Sequence, residues 1–320
     1  MAKTANKITV VGAGLVGSTL AYTLALDGIA SEIVLIDVDK DRAEGEAMDI
    51  EHGSPFYKES LIHAGDYQTA ANSDLVIITA GANQKPGDSR MDLITKNTAI
   101  VTDVANQIKA TCPNAILLVI SNPNDVITRI IQEVSGFPAE RVIGSGTNLD
   151  SARLRYLLSK KFAIDSRNIH AYVLGEHGDS EFVAWSNVNI AGMNINEASD
   201  SFGGVMDDYD YINLANETRN AAYEIINRKK ATYYGISASV LRIASAILRD
   251  ENAVLPLSVK LTGQYNLNDI YLSLPAVVGQ HGIVRIIAPY LSEEEEGKLH
   301  DSARILEEAY HNLKSQSPQN

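Results

Sequence analysis

Ile8-Thr9-Val10-Val11-Gly12-Ala13-Gly14-Leu15-Val16-Gly17, continued by a helical pattern into Ile33-Val34-Leu35-Ile36-Asp37, decides how this chain is read. An apolar run passes through a glycine-rich turn into a helix, and a second apolar run ends on an acid 20 residues beyond the third glycine. That order and spacing describe a dinucleotide-binding unit. Gly12 allows the tight turn, Gly14 allows backbone to approach a pyrophosphate, and Gly17 allows the helix to pack close to the strand. The amino end of the helix, with Leu15 and Val16 in its first turn, offers unpaired N–H groups and a positive dipole end to phosphate. Asp37 is placed to accept hydrogen bonds from ribose hydroxyls and to repel a 2′-phosphate, so the expected cofactor is NAD rather than NADP.

At 320 residues the chain is long enough for about two domains. Its hydrophobic fraction of 45% and charged fraction of 21% are those of a globular protein and not of a disordered tail. A net charge of -13 disfavours nucleic acid and acidic membranes as partners, yet a few arginines can still form a pocket for a small anion. The single cysteine, Cys112, excludes an intrachain disulfide framework and fits a reducing compartment. No secretory core precedes the glycine turn and no apolar run reaches membrane-spanning length, so a cytoplasmic enzyme is expected.

Further along, Asp74 to Thr79 has the near-continuous apolar character of a parallel strand covered on both faces. It runs into Gly81 to Arg90, where Pro86-Gly87 interrupts any regular element. A polar loop at that end of a strand lies where open α/β sheets bind ligands, which makes Lys85 or Arg90 a substrate candidate as well as surface charge. A helix over 90–111 precedes a second buried strand over 115–120, and this ends at Ser121-Asn122-Pro123-Asn124-Asp125. Asn122 is placed to orient a hydroxyl or a nicotinamide, although asparagine before proline also forms ordinary turns. The repeated strand and helix order predicts a doubly wound domain.

Beyond Gly144 the character changes. Asp150, Arg153 and Arg155 sit inside an otherwise apolar helical pattern, and Asp150 and Arg153 share a face. A structural salt bridge explains that pair as readily as a functional one. The run from His170 to Leu174 reads as a strand that ends at Gly175-Glu176-His177-Gly178-Asp179. A histidine between glycines at a strand tip, downstream of a nicotinamide domain, is the natural acid or base for an alcohol and ketone couple. No histidine stands in a recognised metal spacing, so no metal is expected. The pattern from 201 to 211 suggests an exposed loop. Helices are expected over 215–229, 236–249 and 293–313, with strands over 253–261 and 270–274.

Gly12 to Gly17, Gln84 to Arg90, Asn148 to Arg155 and Gly175 to Asp179, taken together, resemble the bacterial L-lactate dehydrogenases of the lactate and malate dehydrogenase family, from about residue 7 to 313. The resemblance implies an α/β fold: a Rossmann-type doubly wound parallel sheet over residues 1–144, then a mixed α/β catalytic and substrate-binding domain over 145–320. It also implies a homotetramer and the reversible NADH-linked reduction of pyruvate to L-lactate. By that resemblance His177 donates the proton to the carbonyl oxygen and Asp150 orients it. Arg153 grips the substrate carboxylate through two parallel hydrogen bonds, and Arg90 polarises the carbonyl as its loop closes. Asn122 bonds the reacting oxygen beside the cofactor, while Thr232 and Ile236 line the substrate and nicotinamide region.

Gln84 occupies the position where malate dehydrogenases carry arginine. A neutral glutamine there leaves the second carboxylate of oxaloacetate unpaired, which favours pyruvate. Arg155 and His170 match the residues that bind fructose 1,6-bisphosphate between subunits in allosteric relatives, and either also suits an ordinary interface ion pair. Lys230 stands where many relatives have glycine, and Asn124 replaces a common valine. The nearest alternative is an L-2-hydroxyacid dehydrogenase for branched or longer 2-oxo acids. Malate dehydrogenase ranks below it, followed by an inactive NAD-binding or structural protein.

Overall fold

Five short apolar strands and one of mixed burial build the first half of the chain, and each exists because its side chains are covered by helices. A computed structural model describes residues 6–82, 90–203 and 205–316, with the side chains of Arg90 and Gln316 left out. In order these are β1 (Lys7–Val11), α1 (Leu15–Asp27), β2 (Glu32–Ile36), α2 (Lys40–Glu51), β3 (Leu61–Ala64), β4 (Leu75–Ile78), α3 (Arg90–Thr111), β5 (Ile116–Val119), α4 (Asn124–Ser135) and β6 (Val142–Gly144). The strands pair in parallel in the order β3-β2-β1-β4-β5-β6. This is the strand order of a doubly wound dinucleotide-binding sheet, with its crossover point between β1 and β4. Ile8, Val10, Leu75, Ile77 and Leu118 are fully buried within it. Truncating one of them, such as Ile77, to alanine costs about 2–5 kcal/mol through lost burial and the cavity left behind.

The second half contains α5 (Asn148–Phe162), β7 (Ile169–His170), β8 (Val173–Leu174), β9 (Phe182–Val183), β10 (Asn189–Ile190), β11 (Met193–Asn194), α6 (Ile195–Phe202), α7 (Asp208–Lys229), α8 (Tyr234–Leu248), β12 (Ala253–Thr262), β13 (Asn268–Gly279), β14 (Gly282–Ile286) and α9 (Glu293–Gln316). The antiparallel strands β12, β13 and β14 extend the parallel sheet, because Ser258 of β12 pairs with Gly144 of β6. One nine-stranded sheet therefore crosses the point where the sequence changes character. α1 packs against α8, so the cofactor half and the later half also share a helical layer.

Three local readings change. The expected strand from His170 to Leu174 is broken: His170 pairs with Asn189 in one small sheet, and Val173 pairs with Val183 in another. The break lies at Ala171-Tyr172, where the chain leaves one sheet edge for the other. The expected loop from 201 to 211 holds two helix ends. α6 stops at Gly203 in left-handed conformation, and α7 starts seven residues before the expected 215, capped by Asp207 and Asp210 reciprocally. The acids that made this stretch look exposed are its capping box.

Candidate active site

The glycine turn lies between β1 and α1, at the carboxyl end of the parallel strands. Gly12 has φ +108°, and a side chain there would meet the Thr79 hydroxyl and the Ala80 amide at 2.7 and 2.8 Å. A methyl on Gly17 would lie 1.8 Å from the Gly12 carbonyl oxygen, so only glycine lets the helix approach the turn. Gly14 has open space where its side chain would be, and it caps α1 without a side-chain bond, which leaves the first-turn amides around Leu15, Val16 and Gly17 for an anion. Asp37, just past β2, accepts the Ala13 amide at 2.6 Å and the Asp39 amide at 2.9 Å. Both oxygens keep a further lone pair, which suits ribose hydroxyls. These residues fit a dinucleotide.

The histidine singled out from the sequence meets its carboxylate partner where α5 approaches the turn after β8. Asp150, in the first turn of α5, is almost fully buried. One of its oxygens lies 2.8 Å from His177 Nδ1, and the other accepts Arg153 Nη1 at 2.6 Å. An ionised carboxylate can only accept, so the Nδ1–H donates and the exchangeable proton is left on Nε2. The His177 backbone amide donates to Asp125 Oδ2 at 2.8 Å, which ties the turn to the first turn of α4. Strand β13 fixes the other side of the turn, because Gly175 and Ser273 exchange backbone hydrogen bonds of 3.1 and 2.8 Å.

Burial alone would lower the His177 pKa, but the charge and hydrogen bond of Asp150, with smaller contributions from Glu181 and Asp125, raise it to about 9. Burial pushes Asp150 the other way, and His177 and Arg153 together hold its carboxyl below the usual range. The result is a protonated imidazole beside an ionised aspartate, the state that can give a proton to a carbonyl oxygen. The structural ion pair between Asp150 and Arg153 is present, yet it uses only one of the five guanidinium donors. An incoming carboxylate can use the rest.

Gln84, Lys85 and the Arg90 side chain lie outside the described residues; Arg90 itself begins α3. Asn122 is exposed, with its carbonyl accepting Asn97 Nδ2 at 2.7 Å. Thr232 is half-buried between α7 and α8, and Ile236 in α8 packs, like Val16, against the main core. Arg155 is committed to the Ser166 carbonyl through two bonds of 3.0 and 3.3 Å. The exposed His170 lies in β7, which packs against α5.

Some residues of this region were not found from the sequence. Asn97 is buried and also accepts the Ala82 amide at 2.7 Å, so it joins the segments that follow β4 and β5. Its signal was an amide in the apolar stripe of Ile94, Val101 and Ile108. Asn124, the residue replacing valine, is buried and bonds the Val119 carbonyl at 2.9 Å and the Gly146 amide at 3.0 Å. Glu181 had no signal beyond its nearness to His177. One carboxylate oxygen of Glu181 and donor atoms of Asp150 and His177 lie within 4.8 Å of one another.

Comparison with known proteins assigns both halves of the chain to one family. The model of the lactate/malate dehydrogenase NAD binding domain matches residues 6–144, and that of the family's alpha/beta C-terminal domain matches 147–316. The chain is 50% identical over 304 residues to L-lactate dehydrogenase 1 of Clostridium acetobutylicum, covering 95% of this chain and 97% of that protein. It is 49% identical over 308 residues to the L-lactate dehydrogenase of Thermoanaerobacter pseudethanolicus, covering 96% and 99%. Among solved structures, the ligand-bound minor L-lactate dehydrogenase of Enterococcus mundtii superposes with a TM-score of 0.94 at 41% identity, covering 99% of this chain and 100% of that one. The chain belongs to the lactate/malate dehydrogenase family of NAD-dependent oxidoreductases. Within that family it stands with the bacterial L-lactate dehydrogenases.

Proposed function

We propose that this enzyme reduces pyruvate to L-lactate with NADH, reversibly, and that His177 is its proton donor. The observation that carries this reading is the chain Arg153–Asp150–His177, joined by bonds of 2.6 and 2.8 Å through the buried Asp150, which leaves Nε2 and several guanidinium N–H groups for substrate. A dinucleotide held by the Gly12 to Gly17 turn and Asp37 would supply the hydride chemistry. His177 delivers its proton to the carbonyl oxygen and takes it back in the oxidative direction. Asp150 holds the ring's tautomer and stabilises the imidazolium. Arg153 takes the substrate carboxylate by a bidentate grip, a planar geometry that lysine lacks. Arg90 polarises the carbonyl, Asn122 bonds the reacting oxygen, and Thr232 and Ile236 line the site. Gln84 selects against a second carboxylate.

The same reading extends to assembly and control. A homotetramer would cover exposed apolar side chains such as Tyr22, Leu26, Met48 and Tyr156. Fructose 1,6-bisphosphate would bind between subunits at Arg155 and His170, whose side-chain types suit phosphate. The place of action is the cytoplasm, in keeping with the lone reduced and buried Cys112. No helix of the described residues is long and apolar enough to cross a membrane.

The test is NADH oxidation with pyruvate, oxaloacetate and 2-oxoisocaproate, each with and without fructose 1,6-bisphosphate. Pyruvate should dominate, with a lower KM when the effector is added. A dominant branched substrate would replace the lactate reading with that of a longer-chain 2-hydroxyacid dehydrogenase. An effector without influence would reduce Arg155 and His170 to structural roles.

A further inference from the structure

Glu181 is a buried acid, 5% exposed, in the turn that carries His177. Its backbone is fixed at both ends: its amide donates to the Gly178 carbonyl at 3.1 Å, and its carbonyl accepts Arg219 Nη2 at 3.0 Å from α7. The next residues, Phe182 and Val183, form β9 against β8, which fixes the backbone on that side of Glu181. Its carboxyl accepts no hydrogen bond from a described residue, although a carboxylate oxygen, an Asp150 oxygen and a His177 ring nitrogen all lie within 4.8 Å of one another. Both Asp150 oxygens are already bonded, to His177 and to Arg153. Glu181 is therefore a second acid facing the catalytic imidazole without serving as its hydrogen-bond acceptor.

The groups facing it come from each element packed around it. Asp150 and Arg153 approach from α5, His177 from its own turn and Arg219 from α7, while Asp125 of α4 lies behind the His177 backbone. Arg153 is engaged by Asp150, and the Nε of Arg219 is buried without a partner. Among the described residues neither cation forms an ion pair with the Glu181 carboxyl, although both of their charges, like that of His177, work against the rise of its pKa.

We propose that Glu181 is a positioning residue of the acid–base site, which acts through His177 by strengthening the imidazole's hold on the proton that it gives to substrate. The directions agree: burial and then the charge of Asp150 raise the Glu181 pKa to about 8, and Glu181 in turn helps to raise His177 to about 9. The two groups then lose their protons in adjacent pH ranges. As pH climbs past Glu181's own titration, its new negative charge holds the proton on His177, and proton delivery persists in mildly alkaline solution. A neutral residue at 181 removes that support.

This inference rests on the proposed role of His177, and two measurements separate them. The first is the pH profile of kcat/KM for pyruvate reduction at saturating NADH. In Glu181→Gln the alkaline limb should move toward acid by about one pH unit, so that the ratio of activity at pH 9 to that at pH 7 falls about fivefold. Glu181→Asp, which restores the charge, should recover most of the ratio. Equal losses at every pH, or an unmoved limb, would leave Glu181 only a packing role and overturn the proposal. The second follows the His177 imidazole by NMR in folded protein carrying labelled histidine, with His177→Asn to assign the resonance. A lower midpoint in Glu181→Gln supports the proposal, and an identical midpoint overturns it, whether or not pyruvate is a substrate. If Glu181→Gln fails to fold, a His177 titration in wild type that is a single step, without the adjacent carboxyl titration, likewise overturns it.

Discussion

The turn from Gly12 to Asp37 and the group of Asp150, His177 and Glu181 are the two regions proposed to serve cofactor and substrate, and they are built in opposite ways. The first works by removing side chains. Gly17 admits no methyl because the Gly12 carbonyl lies 1.8 Å from where it would be, and the partners left for a ligand are backbone N–H groups and one acid. The second works by side chains alone. Its bond between His177 and Asp150 joins residues 27 apart, and its meaning lies in how buried charges balance. Backbone sites fail when something is added, and charge sites fail when something is removed.

That contrast is tested most severely by His177→Asn. If His177 is the general acid, as proposed, its loss should lower kcat for pyruvate reduction by about 10²–10⁴-fold. NADH affinity, measured by fluorescence titration, should stay within about twofold, because the cradle owes nothing to this side chain. If NADH binding weakened in step with kcat, the two regions would not be separable and the contrast would be wrong.

The glycines sharpen the same comparison with a smaller expected effect. Gly17→Ala must open the turn, so it should lower folding stability by about 1–3 kcal/mol in addition to weakening NADH binding. Gly14→Ala meets no protein atom within 4 Å. Its stability cost should remain under about 1 kcal/mol, the scale of a changed helix cap, while NADH binding weakens about tenfold because the methyl occupies the path of the pyrophosphate. Denaturant melts and NADH titrations on both variants decide this. Equal stability losses would show that Gly14, too, serves the fold and not the ligand.

Building by backbone also explains what could be read from sequence. The parallel half was legible because its signals are local: apolar runs such as Leu75 to Ile78, a glycine spacing, and helices at regular period. The junction of β12 with β6 was not, because a single pairing of Ser258 with Gly144 bridges more than 100 residues and leaves no periodic mark. His177 could be singled out by its glycine neighbours, and Asp150 and Arg153 by charge within an apolar helix. The Asp150 and Arg153 pair was legible as two charges three apart on one helix face, but the bond from Asp150 to His177 leaves no local mark, since it depends on how α5 meets the turn after β8. Glu181 was invisible for the same reason. An acid in a polar turn looks solvated until the fold buries it.

Lys230 lies where the two kinds of design meet, and it supplies the smallest expected effect. It ends α7 in left-handed conformation, φ 71° and ψ -10°, with its amide bonded to the Ile226 carbonyl. Glycine takes that conformation without the Cβ penalty of about 1–2 kcal/mol, but loses more chain entropy on folding. Lys230→Gly should therefore gain about 0.5–1 kcal/mol, seen as a rise of about 1–3 °C in Tm. Lys230→Ala removes the same charge and keeps the strain, so its Tm should not rise. Thr232 follows two residues later, which makes the pyruvate KM of these two variants informative. If KM shifts equally in both, the lysine charge reaches the substrate end of the site; if it shifts only in Lys230→Gly, the conformation of the α7 to α8 link sets the position of Thr232. A backbone constraint would then govern even the side-chain half of the molecule.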